Sequence, residues 1–200
     1  RRAYREVVGF ALPALLQDPR AVGLPDPSLT ERLINELKWR RFASADAIVT
    51  ETPESAQGVA VRLPGASVHV VPNCPSRAIT DTSQWRFEAA NSLGTKEGQL
   101  WLFSPGRAYP HKNLGVLGPI AAGLEQLLGQ AVRIVTTLTD AELESQDGRL
   151  REHCLNLGVL AQRELGPVYQ RCDAVIQPSL LEVSSATPLE AIALGLPLLL

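Results

Sequence analysis

From Leu100 to Val135 the chain reads LWLFSPGRAYPHKNLGVLGPIAAGLEQLLGQAVRIV, and the period of its apolar residues changes twice along the way. Leu100-Trp101-Leu102-Phe103 is a short continuous apolar run, the pattern of a strand covered on both faces. After a turn holding Pro105, Gly106 and Pro110, apolar residues recur at helical spacing from Leu114 to Leu128. Val132-Arg133-Ile134-Val135 then returns to a strand pattern. Strand, helix and strand at this spacing form a β-α-β unit, with parallel strands and a right-handed crossover.

The alternation continues downstream. A polar helical region runs from Asp140 to His153, a short apolar run from Leu155 to Leu160, a helix from about Arg163 to Arg171 and a strand from Ala174 to Pro178. A last helix starts near Pro188, ends near Gly195 and leads to the apolar run Pro197 to Leu200. Upstream the theme recurs: a strand in Glu6 to Leu12, a loop through Pro19, Pro25 and Pro27, and a helix over Leu29 to Ala43. Strands Ala47 to Thr50 and Val68 to Val71 flank a second helix, Pro53 to Leu63. The halves also echo each other, because Ser44-Ala45-Asp46-Ala47-Ile48-Val49 matches Arg171-Cys172-Asp173-Ala174-Val175-Ile176 in residue type. The fold class is therefore α/β, with parallel sheets covered by helices on both faces, and the echo is suggestive of two similar domains. Residues 1–76 form the first domain, the polar stretch 77–98 the connection, and residues 99–200 the second domain.

The bulk composition narrows the function classes. With 19 basic and 21 acidic residues the net charge is -2, so nothing suggests a nucleic-acid surface or a polybasic tail. The local basic clusters, Arg1, Arg2 and Arg5 and then Lys38, Arg40 and Arg41, read as solvated faces. Cys74, Cys154 and Cys172 are too dispersed for a zinc site or a redox pair and too odd in number for a disulfide framework, so they read as reduced, packed thiols. No apolar run approaches the roughly 18 residues of a membrane span, and the start is no signal peptide. The expectation is a soluble cytoplasmic protein. With no methionine, and with Leu200 inside an apolar run, the chain also reads as a fragment of a longer polypeptide, both domains incomplete.

The chemistry lies in two loops. Ser104 to Asn113 follows a strand and precedes a helix for which Asn113 reads as the N-cap, with Arg107 and Lys112 flanking the helix start. Free amides and the positive end of a helix dipole favour an anion there, an arginine fork grips phosphate oxygens in pairs, and a lysine adds a point charge. Neither GxGxxG nor GxxxxGK[ST] occurs, which argues against a dehydrogenase or a P-loop NTPase. In the second loop, Glu182 follows a strand end, where α/β sheets bind ligands. Thr187-Pro188-Leu189-Glu190 spells a capping box, so Glu190 has a scaffold reading beside a ligand reading, and one side chain can serve both. Cations with carboxylates on one rim suit a nucleotide diphosphate, the carboxylate being a natural acceptor for vicinal ribose hydroxyls. His111 reads as a solvated neighbour of Lys112, and His69 as a packed strand residue.

Taken together, Ser104 to Asn113 and Pro178-Ser-Leu-Leu-Glu-Val-Ser-Ser-Ala-Thr-Pro-Leu-Glu-Ala-Ile-Ala-Leu-Gly-Leu-Pro197 resemble the nucleotide-sugar domain of family 4 glycosyltransferases. Val70-Val-Pro-Asn73 is similar to the stretch where those enzymes leave their first domain. The resemblance implies the GT-B architecture, a pair of Rossmann-type domains with parallel sheets, and a retaining glycosyltransferase that moves a sugar from a nucleotide diphosphate-sugar to an acceptor hydroxyl. It implies that Arg107 and Lys112, with Gly106 in the same turn, hold the donor diphosphate. Glu182 would be the first glutamate of the E-x7-E motif, facing the transferred sugar, and Glu190 the second, on the ribose. Leu157-Gly158-Val159-Leu160 would be the turn whose backbone meets the base. The chain departs from the family in having Val183-Ser184-Ser185 where a glycine-rich turn is usual, leaving the Ser184 and Ser185 hydroxyls as replacement donors.

The expectation is thus a metal-independent transferase with no cofactor, taking a glycan, a lipid-linked or a small-molecule acceptor and touching the inner face of a membrane at most peripherally. The alternatives are a catalytically silent nucleotide-sugar-binding subunit and a sugar-nucleotide epimerase on the same fold.

Overall fold

The computed structural model describes residues 5–200, so Arg1 and Arg2 of the first basic cluster lie outside the described residues. The chain divides into two compact units, one reaching to Asn73 and including Leu181–Ser185, the other comprising Cys74–Leu180 and Ala186–Leu200.

In the first unit, β1 (Val7–Phe10), β2 (Ala47–Thr50) and β3 (Val68–Val70) form a parallel sheet in that order, joined through α1 (Leu29–Ala43) and α2 (Pro53–Arg62). Local chemistry sets both helix starts. Ser28 and Glu31 close a full capping box on α1, and Thr52 caps α2 with Pro53 in the first turn, where a missing N–H costs nothing. Phe10, Trp39, Phe42, Ile48 and Val59 make the core. His69, expected to be packed, is exposed on β3 and bonds Ser67 Oγ at 2.9 Å, because β3 is the last strand of its sheet.

The second unit opens with two short helices, α3 (Arg77–Thr80) and α4 (Glu88–Ser92). Then come β4 (Leu100–Ser104), α5 (Leu117–Leu128), β5 (Val132–Thr136), α6 (Asp140–Glu144), α7 (Gly148–His153) and β6 (Cys154–Asn156). It closes with α8 (Gln162–Arg171), β7 (Ala174–Ile176), α9 (Ala186–Ala193) and β8 (Leu198–Leu199). The five strands are parallel in the order β6-β5-β4-β7-β8. Alternate residues of β4 feed opposite faces, as the pleat requires. Trp101 and Phe103 join Val168, Tyr169 and Ala191 of α8 and α9, whereas Leu102 joins Leu117, Ala121 and Leu150 of α5 and α7. Helices therefore cover both faces, as continuous apolar strands demand.

The stretch 77–98 has no strand, and its helices pack within the second unit. Pro167 explains part of this packing. Lying inside α8, it has no N–H for the Arg163 carbonyl, and the Arg86 amide takes that carbonyl at 2.9 Å instead. Gly166 then lets Trp85 lie directly on α8, since an added Cβ would collide with the indole.

The six-residue echo has a structural counterpart. Asp173 N donates to Trp101 O at 2.9 Å while Asp173 Oδ2 accepts from Trp101 N at 2.7 Å. In the first unit Asp46 N donates to Glu6 O at 3.0 Å and Asp46 Oδ2 accepts from Glu6 N at 2.7 Å. Each aspartate extends a parallel strand pair by one side-chain rung. The thiols are only partly as expected, since Cys172 is buried but Cys74 is exposed.

Candidate functional site

In the second sheet the chain lays down β4, β5 and β6 toward one edge, then returns to place β7 and β8 on the other side of β4. The reversal between β4 and β7 leaves a crevice beyond their carboxyl ends, the usual ligand position in an open α/β sheet. A cleft of ≈ 260 Å³ lies in this unit, lined by Gly106, Arg107, Thr137, Val159, Leu160 and Glu190 among others. Five residues singled out from the sequence thus meet in one cleft.

The turn after β4 is tied to the rim of β5. Gly106 has φ 129°, a conformation that side chains avoid, and its amide donates to Thr137 Oγ1 at 3.0 Å. Arg107 Nε donates to Glu142 Oε1 at 2.8 Å, and the Ala108 amide reaches the same oxygen at 3.1 Å. Glu142 Oε2 accepts from the Thr139 amide and hydroxyl, each at 2.9 Å, completing a capping box on α6. The Arg107 bond first, and then the Thr139 amide, hold the Glu142 carboxyl at about 2. Glu142 escaped the sequence reading. Thr139-Asp140-Ala141-Glu142 does spell a helix start, but no local pattern says that its carboxylate reaches Arg107.

Lys112 ends a 3-10 turn, Pro110–Lys112, and the Leu180 amide donates to His111 O at 2.8 Å, joining this turn to the loop after β7. The Tyr109 and His111 rings stack with centroids 5.7 Å apart. The expected cap at Asn113 is not formed. Asn113 has φ 53° and makes no side-chain cap bond, a second 3-10 turn spans Leu114–Val116, and α5 begins only at Leu117. Pro119 accounts for the delay. In a helix starting at Leu114 it would remove an internal hydrogen bond and clash, whereas from Leu117 it falls in the first turn, where the N–H is unused. Arg107 therefore precedes, and Lys112 ends, the first of two 3-10 turns, and neither stands at the α-helix start.

The second capping register is also displaced. Because α9 begins at Ala186, Thr187 is inside the helix and Glu190 is its fifth residue. Glu190 is 8% exposed, and its Oε2 accepts from the buried Tyr169 hydroxyl at 2.7 Å. Burial raises the Glu190 carboxyl above its ordinary range, and the Tyr169 bond partly offsets this. Burial, then the Glu190 charge, push the Tyr169 hydroxyl far up, so it stays a proton donor. Tyr169 too was invisible in the sequence, where it reads as one more apolar helix residue.

Glu182, Ser184 and Ser185 lie on Leu181–Ser185, the segment grouped with the first unit. There Gln17 Nε2 donates to Glu182 O at 3.3 Å, and Glu182 and Val183 line a cavity of ≈ 390 Å³ with Gln17, Thr52 and Ser55. Among the described residues no group of three or more His, Cys, Asp or Glu side chains could hold a metal ion. Among them, too, no helix is long and apolar enough to cross a membrane.

Residues 86–200 match the family model described as glycosyl transferases group 1. No curated protein matches the sequence significantly. Among solved structures, WaaG, a glycosyltransferase involved in lipopolysaccharide biosynthesis, superposes with a TM-score of 0.72 at 15% identity, over 96% of this chain and 55% of that one. Sucrose-phosphate synthase from Thermosynechococcus elongatus gives 0.66 at 15% identity, over 96% and 49%. The pneumococcal O-GlcNAc transferase GtfA, solved in complex with UDP and GlcNAc, gives 0.61 at 16% identity, over 96% and 36%. The chain spans about half the length of the first two.

Proposed function

The chain belongs to the glycosyl transferases group 1 family, and from that membership we propose that it is the core of a retaining glycosyltransferase that uses a nucleotide diphosphate-sugar donor. The observation that carries the reading is the cleft at the β4/β7 reversal, where an arginine, a positive-φ glycine turn, an apolar turn and a buried carboxylate meet. Arg107, beside the Gly106 turn, takes the diphosphate, Val159 and Leu160 flank the base, and Glu190 accepts from the ribose. UDP in the GtfA complex is a ligand of this kind.

As the bond between the anomeric carbon and the diphosphate breaks, negative charge grows on the leaving oxygen. Arg107 and Lys112 stabilise that charge in place of a metal ion, and stabilisation that increases along the reaction is what accelerates it. Glu182 orients the sugar and supports positive charge at its anomeric carbon. The departing phosphate takes the acceptor proton, so the new bond forms on the face the phosphate leaves. The first unit supplies the acceptor side, and the acceptor is a hydroxyl of a glycan, lipid-linked or small molecule.

The reading is tested by native mass spectrometry of the protein with a panel of UDP- and GDP-sugars, followed by NMR of the glycosylated product. A bound nucleotide sugar and a product with the donor's anomeric configuration are expected. An inverted product overturns retention, and a nucleotide sugar returned as its epimer overturns the transferase.

A further inference from the structure

Tyr169 is fully buried on α8, and its ring packs edge-on against Phe103 with centroids 4.7 Å apart at 86°. Phenylalanine would keep every one of those apolar contacts. The hydroxyl alone distinguishes tyrosine here, and it is spent on α9, donating to Glu190 Oε2 at 2.7 Å. A buried hydroxyl needs a partner, but a threonine or a backbone carbonyl would serve as well, without the cost of burying a carboxylate beside it.

We propose that Tyr169 is a positioning residue: it holds Glu190 by Oε2, leaves Oε1 for the cleft, and so makes Glu190 select one ribose hydroxyl of the bound nucleotide rather than grip both. The inference rests on the reading of the cleft as a nucleotide site. A free carboxylate can accept from two vicinal hydroxyls with its two oxygens. With one oxygen held by a rigid, buried donor, the side chain cannot turn to present both. Specificity of this kind is strong, because a ligand lacking the matching hydroxyl leaves a desolvated carboxylate oxygen without its partner.

The test is calorimetry with UDP, 2′-deoxy-UDP and 3′-deoxy-UDP, or the GDP series if guanine is the base bound. In the parent, one deoxy ligand is expected to lose about tenfold or more in affinity and the other little. No loss with either removes the ribose reading itself. Equal losses with both keep that reading and overturn the selection of a single hydroxyl. In Tyr169→Phe the ratio between ribose and discriminated deoxy ligand should fall to about twofold, and in a Glu190→Gln background the same change should not alter it further. A Tyr169→Phe protein that binds all three ligands more weakly by one common factor, with its ratio intact, makes Tyr169 merely structural and overturns the proposal. If that variant does not fold, the parent labelled with carbon-13 at tyrosine Cζ answers the same question. The chain has three tyrosines, so Tyr4→Phe and Tyr109→Phe assign the Tyr169 signal by difference. That signal must move with the preferred ribose ligand and not with the discriminated deoxy ligand, and equal responses overturn the proposal.

Discussion

One oxygen of Glu142 accepts both the Arg107 Nε at 2.8 Å and the Ala108 amide at 3.1 Å, so the turn after β4 is clamped to the first turn of α6. Among the described residues the bond from Arg107 is made through Nε, which leaves the two terminal nitrogens for oxygens in the cleft. A guanidinium already oriented loses less freedom when a diphosphate arrives.

The clamp can be dissected by substitution. Arg107→Ala should weaken UDP or GDP binding by about tenfold or more, as expected for a lost charge-assisted pair. Glu142→Ala leaves Arg107 in place but unheld, and should weaken binding by a smaller factor, roughly three- to tenfold. Glu142→Gln retains one acceptor oxygen, enough for the Thr139 side or for Arg107 and the Ala108 amide but not for both, and should fall between Glu142→Ala and the parent. Parent-like affinity in Glu142→Ala, measured by calorimetry, would show that the clamp serves only the fold.

Two carboxyls should give opposite pH signatures in thermal melts. Glu142 is held at about 2, below its ordinary 4.5, so its stabilising effect is present above the ordinary value and is lost as pH falls toward about 2. The melting temperature of the parent should therefore exceed that of Glu142→Gln above pH 4.5, with the gap closing on acidification. Glu190 is raised, so its contribution is greatest at low pH, where it is protonated, and is lost as pH rises through the raised value. Glu190→Gln should then gain on the parent as pH rises toward neutrality. A gap that is flat with pH in both variants would contradict both assignments.

Transfer should survive EDTA. The leaving diphosphate is assigned to Arg107 and Lys112, and Lys112→Ala should lower kcat with little change in melting temperature. Turnover that EDTA abolishes and magnesium or manganese restores would replace the cations with a metal in this scheme.

Glu182→Gln should leave the thermal melt nearly unchanged, because Glu182 lies in a loop outside any helix or strand. Its effect should fall on kcat and not on the affinity for nucleoside diphosphate, which lacks the sugar. A Glu182→Gln enzyme with parent kcat would remove this residue from the chemistry.

The parallel α/β class was legible because it is written in periodicity. A strand buried on both faces needs a continuous apolar run, as in Leu100 to Phe103, and a covering helix needs apolar residues at helical spacing, as in Leu117 to Leu128. Even the aspartate echo could be read, since Asp46 and Asp173 each precede a strand and bond the backbone of a neighbouring one. Helix starts were less legible where two local signals compete. Asn113 carries a cap signal, but Pro119 forbids a helix that begins there, and the proline prevails because a lost internal hydrogen bond with a steric clash outweighs a single cap.

The residue types of the cleft, Gly106, Arg107, Val159, Leu160 and Glu190, belong to the sequence, since local signals and motif spacing single them out. Their partners belong to the tertiary structure. Glu142 lies 35 residues from Arg107, and Tyr169 lies 21 from Glu190, and no periodicity relates positions on different elements at such separations. Only the packing of α6 beside the β4 turn, and of α8 against α9, brings each pair within 2.8 Å. Periodicity reports which face of an element is buried, whereas a hydrogen bond depends on where two elements meet, and that is set by the close packing of the whole core.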